Sequence, residues 1–224
     1  MHVNIISYMG LLNTILNLIF PVSCLSCGRA GADLCAECLL ASPGAERECA
    51  EWIFPLFDYR HPKVKDALWL LKYKGRKRLA RVFAEVLYGR MLEELSDLGV
   101  MENFREALLV PIPLSGSRLR ERGFNQALLL CEHLVALDNN QNFRLEKNVL
   151  IKPKETEHQA KIEDRQKRLK NIVGSFSVKN LELIKKKNII LIDDITTTGA
   201  TLHEAKKILR AAGARKVVAF TVAH

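Results

Sequence analysis

Residues 189–202 read Ile-Ile-Leu-Ile-Asp-Asp-Ile-Thr-Thr-Thr-Gly-Ala-Thr-Leu: an aliphatic run, two adjacent carboxylates and a small, hydroxylated turn. The aliphatic run predicts a strand buried on both faces, with Asp193 and Asp194 at its carboxyl end. The turn Thr196, Thr197, Thr198, Gly199, Ala200 and Thr201 leads into a helix. Its backbone N–H groups and hydroxyls can surround a phosphate at the positive end of that helix, and Gly199 lets the backbone come close. Helix capping by itself explains only one of these hydroxyls. Two acids beside a phosphate make sense where they accept hydrogen bonds from a sugar's 2′- and 3′-hydroxyls or help to hold Mg²⁺. The implied ligand is a ribose 5-phosphate.

A second constellation is Cys24-Leu-Ser-Cys27 and Cys35-Ala-Glu-Cys38, a C-x2-C-x7-C-x2-C pattern. Each C-x2-C turn points two thiolates at one centre, and two such turns complete a tetrahedral zinc site of Cys24, Cys27, Cys35 and Cys38. The alternative is four unligated thiols. The segment is otherwise poor in core-forming residues, and a unit of about 30 residues rarely folds without such a staple. Cys49 and Cys131 have no such spacing; Cys131 falls on the apolar side of an expected helix, where it packs.

A third stretch, Leu71-Lys-Tyr-Lys-Gly-Arg-Lys-Arg78, crowds Lys72, Lys74, Arg76, Lys77 and Arg78 around Tyr73. It suits phosphate contacts with a ring available to stack on a base, or equally a solvated helix end. Lys and Arg outnumber Asp and Glu by 34 to 25, so the net charge of +9 favours an anionic partner and says nothing of fold.

These residues need elements to hold them. Trp52–Tyr59 reads as a short strand, and 61–95 as two helices broken near Gly75, the second starting near Lys77. Ala107–Pro113 reads as a buried strand, Phe124–Leu137 as an amphipathic helix, and Val217–Val222 as a strand after a helix from Thr201 that Gly213 caps. Continuous aliphatic strands separated by helices predict a parallel sheet covered on both faces. Ligands on such sheets bind beyond the carboxyl ends of the strands, where the acid pair and the loop 111–122 would share one pocket. No uninterrupted apolar run reaches about 18 residues, and the first twenty residues lack a basic start and a small-residue cleavage site. The expected location is therefore the cytoplasm, with residues 10–20 as an amphipathic docking helix that leaves open the inner face of the cytoplasmic membrane.

Residues 189–201 resemble the phosphoribosyl-pyrophosphate (PRPP) motif of type I phosphoribosyltransferases. The resemblance implies ribose hydroxyls on Asp193 and Asp194, and the 5-phosphate on Thr196 to Thr201. More of the chain is similar to a narrower family. Val110-Pro-Ile-Pro-Leu, Arg118, Arg120, Arg122-Gly-Phe-Asn-Gln126, Gln159, Arg168, Asn171, Phe176 and the leading cysteine ribbon resemble the ComF-type competence proteins. In that comparison the loop after Val110 is the pyrophosphate loop, with Arg118, Arg120 and Arg122 gripping the diphosphate, which carries magnesium, since forked guanidinium donors hold a diphosphate in two places. The charged stretch Lys152–Lys170 resembles the loop that closes over PRPP in the wider fold.

The resulting expectation is an N-terminal helix and zinc ribbon over 1–50 ahead of a phosphoribosyltransferase-like α/β domain over 51–224. The family role is handling single-stranded DNA during natural transformation, alongside a competence helicase or recombination mediator. The rival is an active phosphoribosyltransferase acting on an unidentified base or amine. In the 6-oxopurine enzymes an Asp lies four residues after the first acid; here that position is Thr197, which argues against hypoxanthine or guanine salvage. A third reading is a PRPP sensor without chemistry or DNA contact.

Overall fold

The molecule was analysed as a computed structural model, which describes residues 22–46, 49–102, 104, 106–139, 141–153 and 174–224. Residues 10–20, Gln159, Arg168, Asn171 and the Lys152–Lys170 stretch beyond residue 153 lie outside the described residues.

The aliphatic runs form a parallel sheet. In chain order β1 is Ile53–Phe57, β2 Ala107–Pro111, β3 Phe143–Leu145, β6 Asn188–Ile195 and β7 Lys216–Ala223, and they stand side by side as β1-β7-β6-β2-β3. All four pairings are parallel, with β6 at the centre, paired to β2 from Leu108↔Ile189 to Pro111↔Ile192 and to β7 from Asn188↔Lys216 to Ile195↔Ala223. A small antiparallel pair, β4 (Leu150–Ile151) with β5 (Ser177–Val178), lies outside the sheet.

Alternation along β6 sorts the core into two layers. Ile190 and Ile192 face one layer, built from α2 (Pro62–Tyr73), α3 (Arg78–Glu102) and α5 (Gln126–Asp138), among them Leu68, Phe83 and Leu130. Ile189 and Leu191 face the other, formed by Leu202, Ala205 and Leu209 of α7 (Ala200–Ala211), by Ile184 of α6 (Leu181–Ile184), and by Leu150 and Phe176. Helices thus cover both faces, as uninterrupted Val/Ile/Leu strands require. Proline at the first position starts α2, and Gly75, at φ 62°, breaks the path to α3.

Two details differ from the sequence reading. The strand expected at Ile189–Ile192 runs on to Ile195, because β7 continues to pair with it, so the acid pair lies within the strand's last turn of pleat. Gly116–Arg122, expected as loop, forms a short helix, α4, that buries none of its residues and so leaves no apolar period to read.

The cysteine turns share the main core. Cys24, Leu34 and Leu39, the last on α1 (Ala36–Leu40), are buried in the same cluster as Val64, Leu79 and Phe83. Arg76 adds an ion pair to Asp33 at 3.2 Å. Among the described residues no helix is long and apolar enough to cross a membrane.

Candidate functional site

Because successive residues of a strand point to opposite faces, Asp193 and Asp194 straddle the end of β6. Asp194 turns toward α2, where Lys72 Nζ meets its Oδ1 at 3.0 Å with both side chains largely buried. Asp193 turns the other way and accepts the Asp194 backbone N–H at 2.9 Å. Burial and the adjacent Asp194 charge raise the Asp193 carboxyl to about 7, opposed by that N–H, Lys72 and Arg122. Lys152 approaches the same acid; burial and Arg118 lower its ammonium, while Asp193 works the other way. Three cations from three segments, Lys72, Lys152 and Arg122, therefore act on the two carboxylates, and Arg118 acts on Lys152 beside them.

Ser115 caps α4 by accepting the Arg118 N–H at 3.4 Å. On that helix Arg118 and Arg122 are four residues apart on one half-buried face, Arg122 acting on Asp193 and Arg118 on Lys152, whereas Arg120 lies off that face and is exposed. Gly123, at φ 76°, ends the helix, and Asn125 starts α5 by accepting the N–H groups of Ala127 and Leu128 at 3.0 and 3.5 Å. Asn125 also donates to the Ile112 carbonyl at 3.0 Å, tying the helix start to the loop after β2. The Arg122–Gln126 pair closes this turn at 2.9 Å, yet Arg122 Nε and Gln126 Nε2 are buried without a hydrogen-bond partner among the described residues.

The turn 196–201 does hold the entry to α7, with Gly199 at φ 72° as its N-cap. Thr196 is buried and its N–H is taken by the Ala223 carbonyl at 2.9 Å, so this residue anchors the turn to β7. Thr197 and Thr198 are exposed, Ala200 and Thr201 half-buried. His224 Nε2 lies 2.9 Å from the Thr197 carbonyl, a contact that ties the turn to the end of β7. A Cβ at Gly199 would meet His203 and Ile53 at 3.3 Å, so tight packing as well as φ demands glycine there.

The five cations of 72–78 separate. Lys72 is held inward on Asp194 and Arg76 on Asp33. Lys74 sits over Trp69 at 5.4 Å and Lys77 over Phe124 at 4.9 Å, while Arg78 is exposed.

The Sγ atoms of Cys24, Cys27, Cys35 and Cys38 all lie within 4.8 Å of one another, a cluster that could hold a metal ion. Four thiolates bound tetrahedrally at about 2.3 Å stand roughly 3.8 Å apart. The Cys24–Cys35 and Cys27–Cys35 separations are 3.7 and 3.8 Å, so the donor set fits. Burial opposes ionisation of Cys24, but N–H groups of Cys27, Cys35 and Ser26 bring its thiol down to about 6. Burial pushes the Cys131 thiol well up, in keeping with a packing role.

Sequence reasoning missed Lys72 as partner of the acids, Lys152, Trp69 and the Asn125 cap. Asn125 alone left a trace: an Asn just before an apolar helical period.

The phosphoribosyl transferase domain family matches residues 146–224. The chain is 35% identical over 160 residues to competence protein ComFC of Bacillus subtilis, covering 71% of this chain and 59% of that protein, so it spans about three fifths of that relative. It is 32% identical over 203 residues to competence protein ComFC of Streptococcus pneumoniae, covering 87% and 82%. It is 28% identical over 184 residues to DNA utilization protein YhgH of Escherichia coli, covering 82% and 74%. Among solved structures it is similar to the hypoxanthine phosphoribosyltransferase of Trypanosoma cruzi, at 15% identity over 63% of this chain and 65% of that one; the TM-score of 0.36 is too low to carry weight.

Proposed function

The chain belongs to the ComF-type competence proteins that carry a type I phosphoribosyltransferase domain, and from that membership we propose that it binds PRPP and handles single-stranded DNA in natural transformation. The ribose hydroxyls are taken by Asp193 and Asp194, and the 5-phosphate by the turn Thr196 to Thr201. The diphosphate, with Mg²⁺, goes to Arg118 and Arg122, with Arg120 at the outer edge. Mg²⁺ supplies charge neutralisation to the diphosphate; the chain's own part is to aim guanidinium forks at it and carboxylates at the sugar. The four cysteines hold a structural zinc. DNA contacts fall on the exposed cations of 72–78, and the setting is the cytoplasm. The division into a cysteine unit over 1–50 and a transferase-like unit over 51–224 is one of chemistry, since the two share a core.

The observation that carries this reading is the acid pair at the carboxyl end of the central strand, faced by Lys72, Lys152 and Arg122 with a glycine-capped helix start beside it. Ligands on parallel sheets bind there. The competence role is supported by relatives named competence protein and DNA utilization protein.

The test replaces both acids by Asn, which keeps shape and removes charge. Each lost charged hydrogen bond costs about 1.5–3 kcal/mol, so PRPP affinity measured by calorimetry with Mg²⁺ should fall at least roughly tenfold while the fold survives. Transformation frequency should fall in a strain carrying the same change. Equal affinity in wild type and variant would remove the acid pair from the site. Gly199→Val is a poor substitute, because its Cβ strains the turn whatever binds there.

A further inference from the structure

The one-residue step from Lys72 to Tyr73 separates a buried ion pair from an open aromatic surface. Val64, Ala67, Leu68 and Leu71 turn α2 into the core, so Trp69 and Tyr73, four residues apart, share a face turned to solvent. They are 47% and 52% exposed, and no other aromatic among the described residues is exposed to that degree. Large rings this open are uncommon without a ligand to cover them. Their centroids lie 6.1 Å apart with planes tilted by 45°, so the two rings form one aromatic patch.

Each ring has a cation. Lys74 Nζ is 5.4 Å from the Trp69 centroid and Arg122 Cζ is 5.4 Å from that of Tyr73. Arg122 also pulls on Asp193, and its buried Nε has no partner among the described residues. Tyr73 is therefore linked to the acid pair on two counts: through Arg122 to Asp193, and through its chain neighbour Lys72 to Asp194.

We propose that Trp69 and Tyr73 are a stacking platform for bases of single-stranded DNA, reached through Arg122 from the acid pair. This rests on the reading that the chain handles single-stranded DNA. A strand offers the two chemistries the surface is built for, π-faces for the rings and phosphates for Lys74 and Arg122. A duplex does not, because its base faces are covered by stacking. Every base has a π-face, so stacking makes recognition tolerant of sequence.

The test uses the full chain and two fluorescent strands of equal length, oligothymidylate and an abasic strand of the same backbone, read by anisotropy. Stacking contributes about 1–3 kcal/mol per base, so wild type should prefer the base-bearing strand at least about fivefold. Trp69→Ala with Tyr73→Ala should abolish that preference, leaving abasic-strand affinity and melting temperature unchanged. Trp69→Phe with Tyr73→Phe should keep it. A preference that survives the alanine pair overturns the platform, as does wild type binding both strands equally. Wild type that binds neither strand overturns the DNA-handling reading itself.

Discussion

Asp193 is held against its own ionisation. Its folded-state value of about 7 stands above the ordinary 3.8 because burial and Asp194 outweigh the cations nearby. Between roughly pH 4 and pH 7 the folded chain keeps a proton that the unfolded chain has lost, so stability falls as pH rises through that window and levels off above it. Asp193→Asn has no proton to lose. At one unit for 1.36 kcal/mol the gain at pH 8 is on the order of a few kcal/mol, discounted for partial exposure. That raises the melting temperature by several degrees, at about 2–4 °C per kcal/mol. The difference should shrink toward pH 4, and a thermal-shift series on both proteins checks it. Lys72→Met works in the opposite sense: it strands the buried Asp194 carboxylate, a loss of about 3–5 kcal/mol that Lys74→Met, at an exposed site, should not match. The sequence disclosed the acids because they follow an aliphatic run directly. It could not disclose Lys72, whose meeting with Asp194 is set by how α2 packs on the sheet, 122 positions away in the chain.

Among the elements, those that bury a full apolar period were legible: the parallel strands β2, β6 and β7, and the helices α5 and α7. Those that bury little were not. α4 carries Gly-Ser-Arg-Leu-Arg-Glu-Arg with no buried residue, and β3, β4 and β5 are two or three residues long. The sheet order is likewise silent in the sequence, since nothing local says that β6 lies between β2 and β7. The turn between α4 and α5 explains why Arg122-Gly-Phe-Asn-Gln126 is so specific a string. Gly123 supplies the left-handed end, Asn125 both caps the next helix and ties it to Ile112, and Gln126 steadies Arg122. Asn125→Ala should therefore cost about 1–2 kcal/mol in denaturant unfolding, at the upper end for a lost cap, and should weaken PRPP binding by loosening α4. Unchanged unfolding would mean that the loop is held by other contacts.

For the whole molecule, the cysteine turns matter because Leu34 and Leu39 lie in the same core as Phe83 and Leu68. A metal ion bound by the four cysteines would then contribute folding free energy to the entire chain. Cys24→Ser with Cys35→Ser should lose the metal, and the melting temperature of the single transition should drop; full metal content in that variant would overturn the ligand assignment. The end of α2 has a consequence of its own. Lys72 and Arg76, four residues apart, grip acids from two separate segments: Asp194 beside the turn 196–201 and Asp33 beside the cysteines. A segment clasped at both ends passes on what happens at either, and such coupling is reciprocal by thermodynamic necessity. If stripping the metal weakens PRPP binding by some factor, PRPP must tighten metal binding by that same factor. Saturating PRPP should then slow the release of zinc to a chromogenic chelator, which would make this protein one whose nucleotide precursor and metal each report on the other's supply.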